Sequence, residues 1–164
     1  GDALLTQARL ETGALQLPAG KTDVLVEVYR ANSVYYSRRH AVKDLATSIP
    51  LFEKLLNTNC YKTELVETEQ VNTAFFKQGE TKIELLESVD TNGVIAKFIE
   101  KKGEGMHHIA FDVEDIVAEM KRLKEEGFVL LNDQPKNGAD NKLVCFLHPK
   151  STNGILIELC QEKK

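Results

Sequence analysis

The feature that most limits how this chain can fold is an internal repeat. His40-Ala41-Val42-Lys43-Asp44-Leu45 precedes one helical pattern and Phe111-Asp112-Val113-Glu114-Asp115-Ile116 precedes another, with Val42 and Val113 aligned at an offset of 71 residues. Further along, Ile83-Glu84-Leu85 matches Ile157-Glu158-Leu159 at an offset of 74. Self-similarity of this kind marks a repeated structural unit.

Each copy reads as strand, helix, then three strands, an α+β plan of paired βαβββ modules at about 34–88 and 105–161. In the first, Ile49, Phe52 and Leu56 form an apolar stripe, with Pro50 expected in the first turn and Asn57 near the stop. In the second, Ile116, Met120 and Leu123 repeat the stripe, with Asp115 as N-cap and Gly127 just past the end. Strands are expected at 63–67, 73–77, 82–87, 129–131, 143–147 and 155–160, with turns at Gly79-Glu80 and Asn137-Gly138. Val94–Lys102 reads as a linking helix ended by Gly103.

Residues 1–40 find no counterpart in the other copy. They hold a weakly helical stretch (3–15), a turn at Pro18-Ala19-Gly20 and an alternating strand (23–29), and read as an added hairpin, a replaced first strand or an appended segment.

A chain of 164 residues with 42% hydrophobic and 28% charged residues suits one ordinary globular domain. A net charge of −4 argues against general binding to nucleic acid or a membrane surface. Cys60, Cys145 and Cys160 are odd in number and lack CxxC spacing, so neither a disulfide framework nor a thiolate zinc site is expected. A reducing, cytoplasmic compartment fits best. The start, Gly1–Leu5, has no basic segment leading into a long apolar run, so no secretion signal is expected there.

Chemistry concentrates in a few places. In Met106-His107-His108-Ile109-Ala110, strand alternation sends His107 and His108 to opposite faces, so one imidazole can point into a cavity between the copies. The bland alternative is a half-buried, hydrogen-bonded imidazole. Glu158 lies in an otherwise apolar strand, where a carboxylate needs a partner, and Glu84 recurs at the equivalent place. Histidine plus carboxylate suits cobalt, zinc, nickel or manganese. Subtracting the 71-residue offset from His108 lands on Ser37, with His40 three residues on and facing the other way. Lys150 and Ser151, in the loop before the Glu158 strand, are candidates for binding a phosphate or carboxylate, or form an ordinary polar turn. Arg30, Arg38 and Arg39 read as solvated surface more than as an anion site.

Taken together, "GEGMHHIAFDVEDI", "TKIELLE", "IAKFIEKKGEG", "FLHPKSTNGILIELCQ" and "AVKDLATSIPLFEKLL" resemble the methylmalonyl-CoA epimerase family, in its order and spacing, over residues 41–161. The resemblance implies the vicinal-oxygen-chelate fold: paired βαβββ modules whose mixed sheets curl around a divalent metal, commonly Co2+, in a homodimer. It implies interconversion of (R)- and (S)-methylmalonyl-CoA, an acyl-CoA thioester, through a metal-stabilised enolate. By the same resemblance His108 is a metal ligand, Glu158 a ligand or catalytic base, and Glu84 sits where relatives place a ligating Gln or Glu.

The chain departs from that family in two places. The family's first metal histidine falls on Ser37, so either a bulge brings in His40 as ligand or the site lacks one. The run 71–76 carries no acid where some members have one, leaving Glu67 and Glu69 as replacements. Two other functions stay open: a glyoxalase-like metal-dependent lyase using Glu84, His108 and Glu158, and a metal-free small-molecule-binding protein of the same fold.

Overall fold

Alternation of apolar and polar residues along short segments, interrupted by two amphipathic helices at the 71-residue spacing, builds one mixed sheet with a helix on the outside of each half. The structure, a computed structural model, describes residues 36–163. The helix, turn and strand expected at 3–29, and Arg30, lie outside these residues. In chain order the elements are β1 (Tyr36–Ala41), α1 (Leu45–Leu56), β2 (Lys62–Val66), β3 (Val71–Gln78), β4 (Thr81–Ser88), α2 (Val94–Lys102), β5 (Gly105–Asp112), α3 (Ile116–Glu125), β6 (Lys136–Asn137), β7 (Lys142–Leu147) and β8 (Ile157–Glu162). Among the described residues no helix is long and apolar enough to cross a membrane.

The strands form one curled sheet in the order β2-β3-β4-β1-β5-β8-β7-β6. This order reads the same from both edges, because the second half repeats the first about a pseudo-two-fold axis between β1 and β5. Register confirms the repeat. Arg39 pairs with Glu84 in the parallel β1–β4 ladder, and Ala110 with Glu158 in the parallel β5–β8 ladder. Arg39 and Ala110 are therefore equivalent, as are Ser37 and His108.

Each outer helix is fixed by its cap and its stripe. The Asp44 side chain accepts N–H bonds from Ala46 and Thr47, and that of Asp115 accepts one from Ala118, satisfying donors that the first turn leaves open. Helix α1 covers Val42, Ala74, Phe76 and Leu85, while α3 buries Ile116, Met120 and Leu123 on Cys145, Leu147 and Leu159. Fully burying side chains such as Phe76, Leu85 and Ile116 contributes about 1.5–3 kcal/mol each. Odd and even residues of a strand then divide the work. In β4, Leu85 faces α1 and Glu84 faces the hollow of the sheet.

Three local expectations need correction. Helix α1 begins at Leu45, so Pro50 lies within it rather than in its first turn, on the exposed side. The segment 129–131 touches β7 through a single bridge, Leu130 to Leu147, and the second strand of the second module is β6. Asn132 explains this, since its Oδ1 takes the Phe146 N–H that a continuing ladder would use (3.1 Å). The hairpin then turns at Asp140-Asn141, not at Asn137-Gly138. Both residues are left-handed (φ 55° and 56°), which is the two-residue turn whose twist matches paired strands.

That turn also clasps the opposite half of the sheet. Asp140 meets Lys62 of β2 at 3.0 Å and Lys82 of β4 at 2.6 Å, and its N–H donates to Glu64. The two cations hold the Asp140 carboxyl at about 2, against a burial that would raise it.

Candidate active site

The hollow of the curled sheet holds a cavity of about 240 Å³. Its walls are mostly apolar (Val71, Leu86, Ile95, Val144, Phe146), and its floor is a cluster of charged and imidazole side chains. Glu84 on β4, His108 on β5 and Glu158 on β8 all reach this floor, only 4–6% exposed. The sequence-expected residues Glu84, His108 and Glu158 are thus brought together.

They meet around a fourth residue that sequence reasoning placed on the surface. Arg39 is 7% exposed and lies between the two acids. Its Nε donates to Glu158 Oε2 at 2.7 Å, its Nη1 pairs with Glu84 Oε1, and its Nη2 reaches Cys160 Sγ at 3.8 Å. The Nη1 contact is an ion pair without hydrogen-bond geometry. The signal was available in period two: if Ser37 faces inward, so does Arg39.

One guanidinium shared by two buried carboxylates splits them. Burial alone would raise Glu158, but the Arg39 charge and the His108 hydrogen bond outweigh it and hold that carboxyl at about 2. Glu84 moves the other way: burial lifts it above the usual range, Arg39 opposes, and the charge on Glu158 adds to the rise. Two acids compete for one cation, and a single proton is best kept on Glu84.

The histidines complete a chain. His108 Nε2 lies 2.9 Å from Glu158 Oε2, and His107 Nδ1 lies 2.7 Å from His108 Nδ1. An ionised carboxylate only accepts, so His108 carries its proton on Nε2. Burial keeps both imidazoles below their ordinary range, His107 at about 4 with the neighbouring His108 adding to the drop, so both are neutral near pH 7. His108 Nδ1 is then an acceptor and His107 Nδ1 the donor. Phe98 packs edge-on to His107 and Phe146 to His108.

The expectation that His107 and His108 face apart is overturned. The β1–β5 register shifts between Arg39 and His40: Arg39 pairs with His108 but His40 with Met106, leaving His107 as an extra residue on β5. Such a bulge breaks alternation, and both imidazoles line the cavity.

The other candidates are not brought to the cluster. His40 points to the outer face, its ring 5.7 Å from Phe52 of α1, with Nδ1 buried and unpartnered. The bulge displaces His107 and leaves the outward course of His40 unchanged, so His40 does not stand in for a histidine at position 37. Lys150 is exposed, and the Ser151 hydroxyl is engaged with the Val129 N–H and the His148 carbonyl. Neither lines the cavity. Of the proposed replacement acids, Glu69 sits at the cavity rim paired with Lys136 at 2.5 Å, whereas Glu67 is exposed.

A divalent metal, implied by the resemblance, does not fit this donor set as it stands. The space bounded by Glu84 and Glu158 is taken by the Arg39 guanidinium, and the His108 nitrogen nearest it bears a proton. A metal ligand needs the free lone pair. Ser37, at the equivalent of His108, offers only a hydroxyl.

A curled, two-fold-repeated sheet with acids and imidazoles in its hollow defines a vicinal-oxygen-chelate protein. Residues 39–146 match the Glyoxalase/Bleomycin resistance protein/Dioxygenase superfamily. The ethylmalonyl-CoA/methylmalonyl-CoA epimerase of Cereibacter sphaeroides is 42% identical over 123 residues, covering 74% of this chain and 92% of that protein. The crystal structure of methylmalonyl-CoA epimerase from Mycobacterium tuberculosis superposes with a TM-score of 0.75 at 29% identity, over 78% of this chain and 87% of that one. A Streptomyces coelicolor methylmalonyl-CoA epimerase variant in complex with 2-nitronate-propionyl-CoA gives 0.74 at 29%, over 78% and 96%. The chain belongs to the methylmalonyl-CoA epimerase family of that superfamily.

Proposed function

We propose that this chain is an epimerase acting on an acyl-CoA thioester of the methylmalonyl type, with Glu84 and Glu158 as its two acid/base groups. The observation that carries this is their placement: equivalent positions of the two half-sheets, on either side of Arg39. The α-carbon of such a substrate lies between a carboxylate and a thioester carbonyl. Inverting it requires removal of a proton from one face of a planar enolate and return to the other. Two acids related by a pseudo-two-fold axis supply one group per face.

The protonation states suit one direction of travel. Ionised Glu158 takes the α-proton; the C–H electron pair moves into the thioester carbonyl, giving an enolate. Protonated Glu84 then delivers its proton to the opposite face, and the two acids end with their roles exchanged. Arg39 is the cation nearest the developing negative charge. A substrate carboxylate that draws on Arg39 weakens its hold on Glu158, so the base gains strength as ligand binds. The relatives' activity and their acyl-CoA complex support this reading.

The test is α-proton exchange of methylmalonyl-CoA in deuterated solvent, started separately from each enantiomer. Wild type is expected to exchange and invert both. Glu84→Gln and Glu158→Gln are each expected to lose inversion while still exchanging the one enantiomer whose base remains. Absence of exchange by the wild type, with the thioester bound, would move the chain to the binding-protein reading. The tie of Arg39 to both acids favours that second reading.

A further inference from the structure

We infer that Arg39 is the permanent cation of this site, so that the chain neither requires nor takes up a divalent metal there. The inference rests on the site geometry and not on the epimerase reaction, and it is tested without substrate.

Two buried carboxylates facing one another need a positive charge between them. In this chain the charge is covalently attached. Arg39 comes from β1, the strand at the centre of the sheet, and its neighbours in the two flanking ladders are Glu84 and His108. From there Nε reaches Glu158 and Nη1 reaches Glu84. A metal gathers donor lone pairs to one point, at about 2.0–2.2 Å for nitrogen and oxygen. Here the acids instead take opposite ends of a planar group, the arrangement to which guanidinium is suited.

The imidazole agrees. A coordinating His108 would turn a lone pair towards the acids; instead its Nε2 sits 2.9 Å from Glu158 Oε2 as donor, and its Nδ1 accepts from His107. Ser37, which shares the inner face of β1, is buried without adding a nitrogen. A divalent cation beside Arg39 would add two positive charges where the guanidinium already faces ionised Glu158 and a Glu84 that burial pushes towards its neutral form.

The experiment compares wild type, Arg39→Gly and the double variant Arg39→Gly with Ser37→His. Each is loaded with Co2+, dialysed and measured for bound metal per chain, and thermal unfolding is followed with Co2+ and with chelator. Wild type is expected to retain no stoichiometric metal and to unfold at the same temperature in both. Removing the guanidinium exposes the acids and His108 to the metal. The variants are expected to bind one Co2+ per chain, the double variant more tightly, and to unfold several degrees higher with it than without. One tightly held metal per wild-type chain overturns the inference, as does failure of both folded variants to take up any. If neither variant folds, the wild-type measurement alone decides. Loss of epimerase activity with metal-free wild type intact would count against the proposed function and leave this inference standing.

Discussion

Arg39 stands opposite His108 across the β1–β5 ladder, and both direct an N–H at the same oxygen, Glu158 Oε2, at 2.7 and 2.9 Å. One carboxylate oxygen thus ties together both halves of the molecule and both kinds of nitrogen in the site.

Removing the guanidinium should therefore be costly. Arg39→Met, which keeps the side-chain length, leaves Glu84 and Glu158 buried without a cation and is expected to destabilise by about 3–5 kcal/mol at neutral pH. Urea unfolding measures it. A loss below about 1 kcal/mol would mean that the acids are solvated or protonated without help.

The two acids should differ. Glu158 holds two donors and is strongly ionised, whereas burial has already pushed Glu84 towards its neutral form. Glu158→Gln is expected to lower stability by roughly 3 kcal/mol and Glu84→Gln by distinctly less, near pH 7. Equal losses would contradict the split.

Acid should weaken the fold in two stages. His107 takes a proton at about 4 when folded against an ordinary 6.5, so the unfolded chain binds it first. Its contribution is complete above about 6.5 and is lost as pH falls towards 4, by up to about 3 kcal/mol. Glu158, also depressed, adds a second loss between the ordinary carboxylate range and about 2. Unfolding free energies measured from pH 7.5 downwards should show His107→Gln reducing the upper stage, to which the likewise depressed His108 and His40 also contribute, and sparing the lower one.

His40 offers the converse test. Its ring packs on Phe52 with a buried nitrogen unpaired, so His40→Leu should leave ligand binding unchanged and stability equal or higher by about 1 kcal/mol. Calorimetry of both proteins with an acyl-CoA thioester checks this, and lost binding would return His40 to the site.

The fold was legible because its evidence is periodic. Offsets of 71 and 74 residues, two capped helices and paired Ile-Glu-Leu runs fixed the two modules, and α2 falls at the expected 94–102. Glu84, His108 and Glu158 stood out as residues that must meet partners, because charged or imidazole side chains in apolar strands need them, and they are buried together. What escaped detection depended on register. A bulge is a single extra residue that no composition reveals, and it alone brings His107 beside His108. Arg39 was hidden by its neighbours. In Ser37-Arg38-Arg39-His40 a run of polar residues resembles surface, and only Ser37's inward position shows that every second one is buried. The strand expected at 129–131 failed through one side chain, Asn132, which takes an N–H the next strand would have used.

The clasp at Asp140 gives the two halves unequal joints. Along one border they are stitched by backbone ladders, which dissolved ions scarcely affect; at the other they meet largely through charged side chains, Asp140 with Lys62 and Lys82 and Glu69 with Lys136, all partly wet. Electrolyte should loosen only the second, over separations comparable with a Debye length of about 8 Å at physiological ionic strength. The halves are thus joined by two seams of different chemistry, of which only the charged one answers to salt.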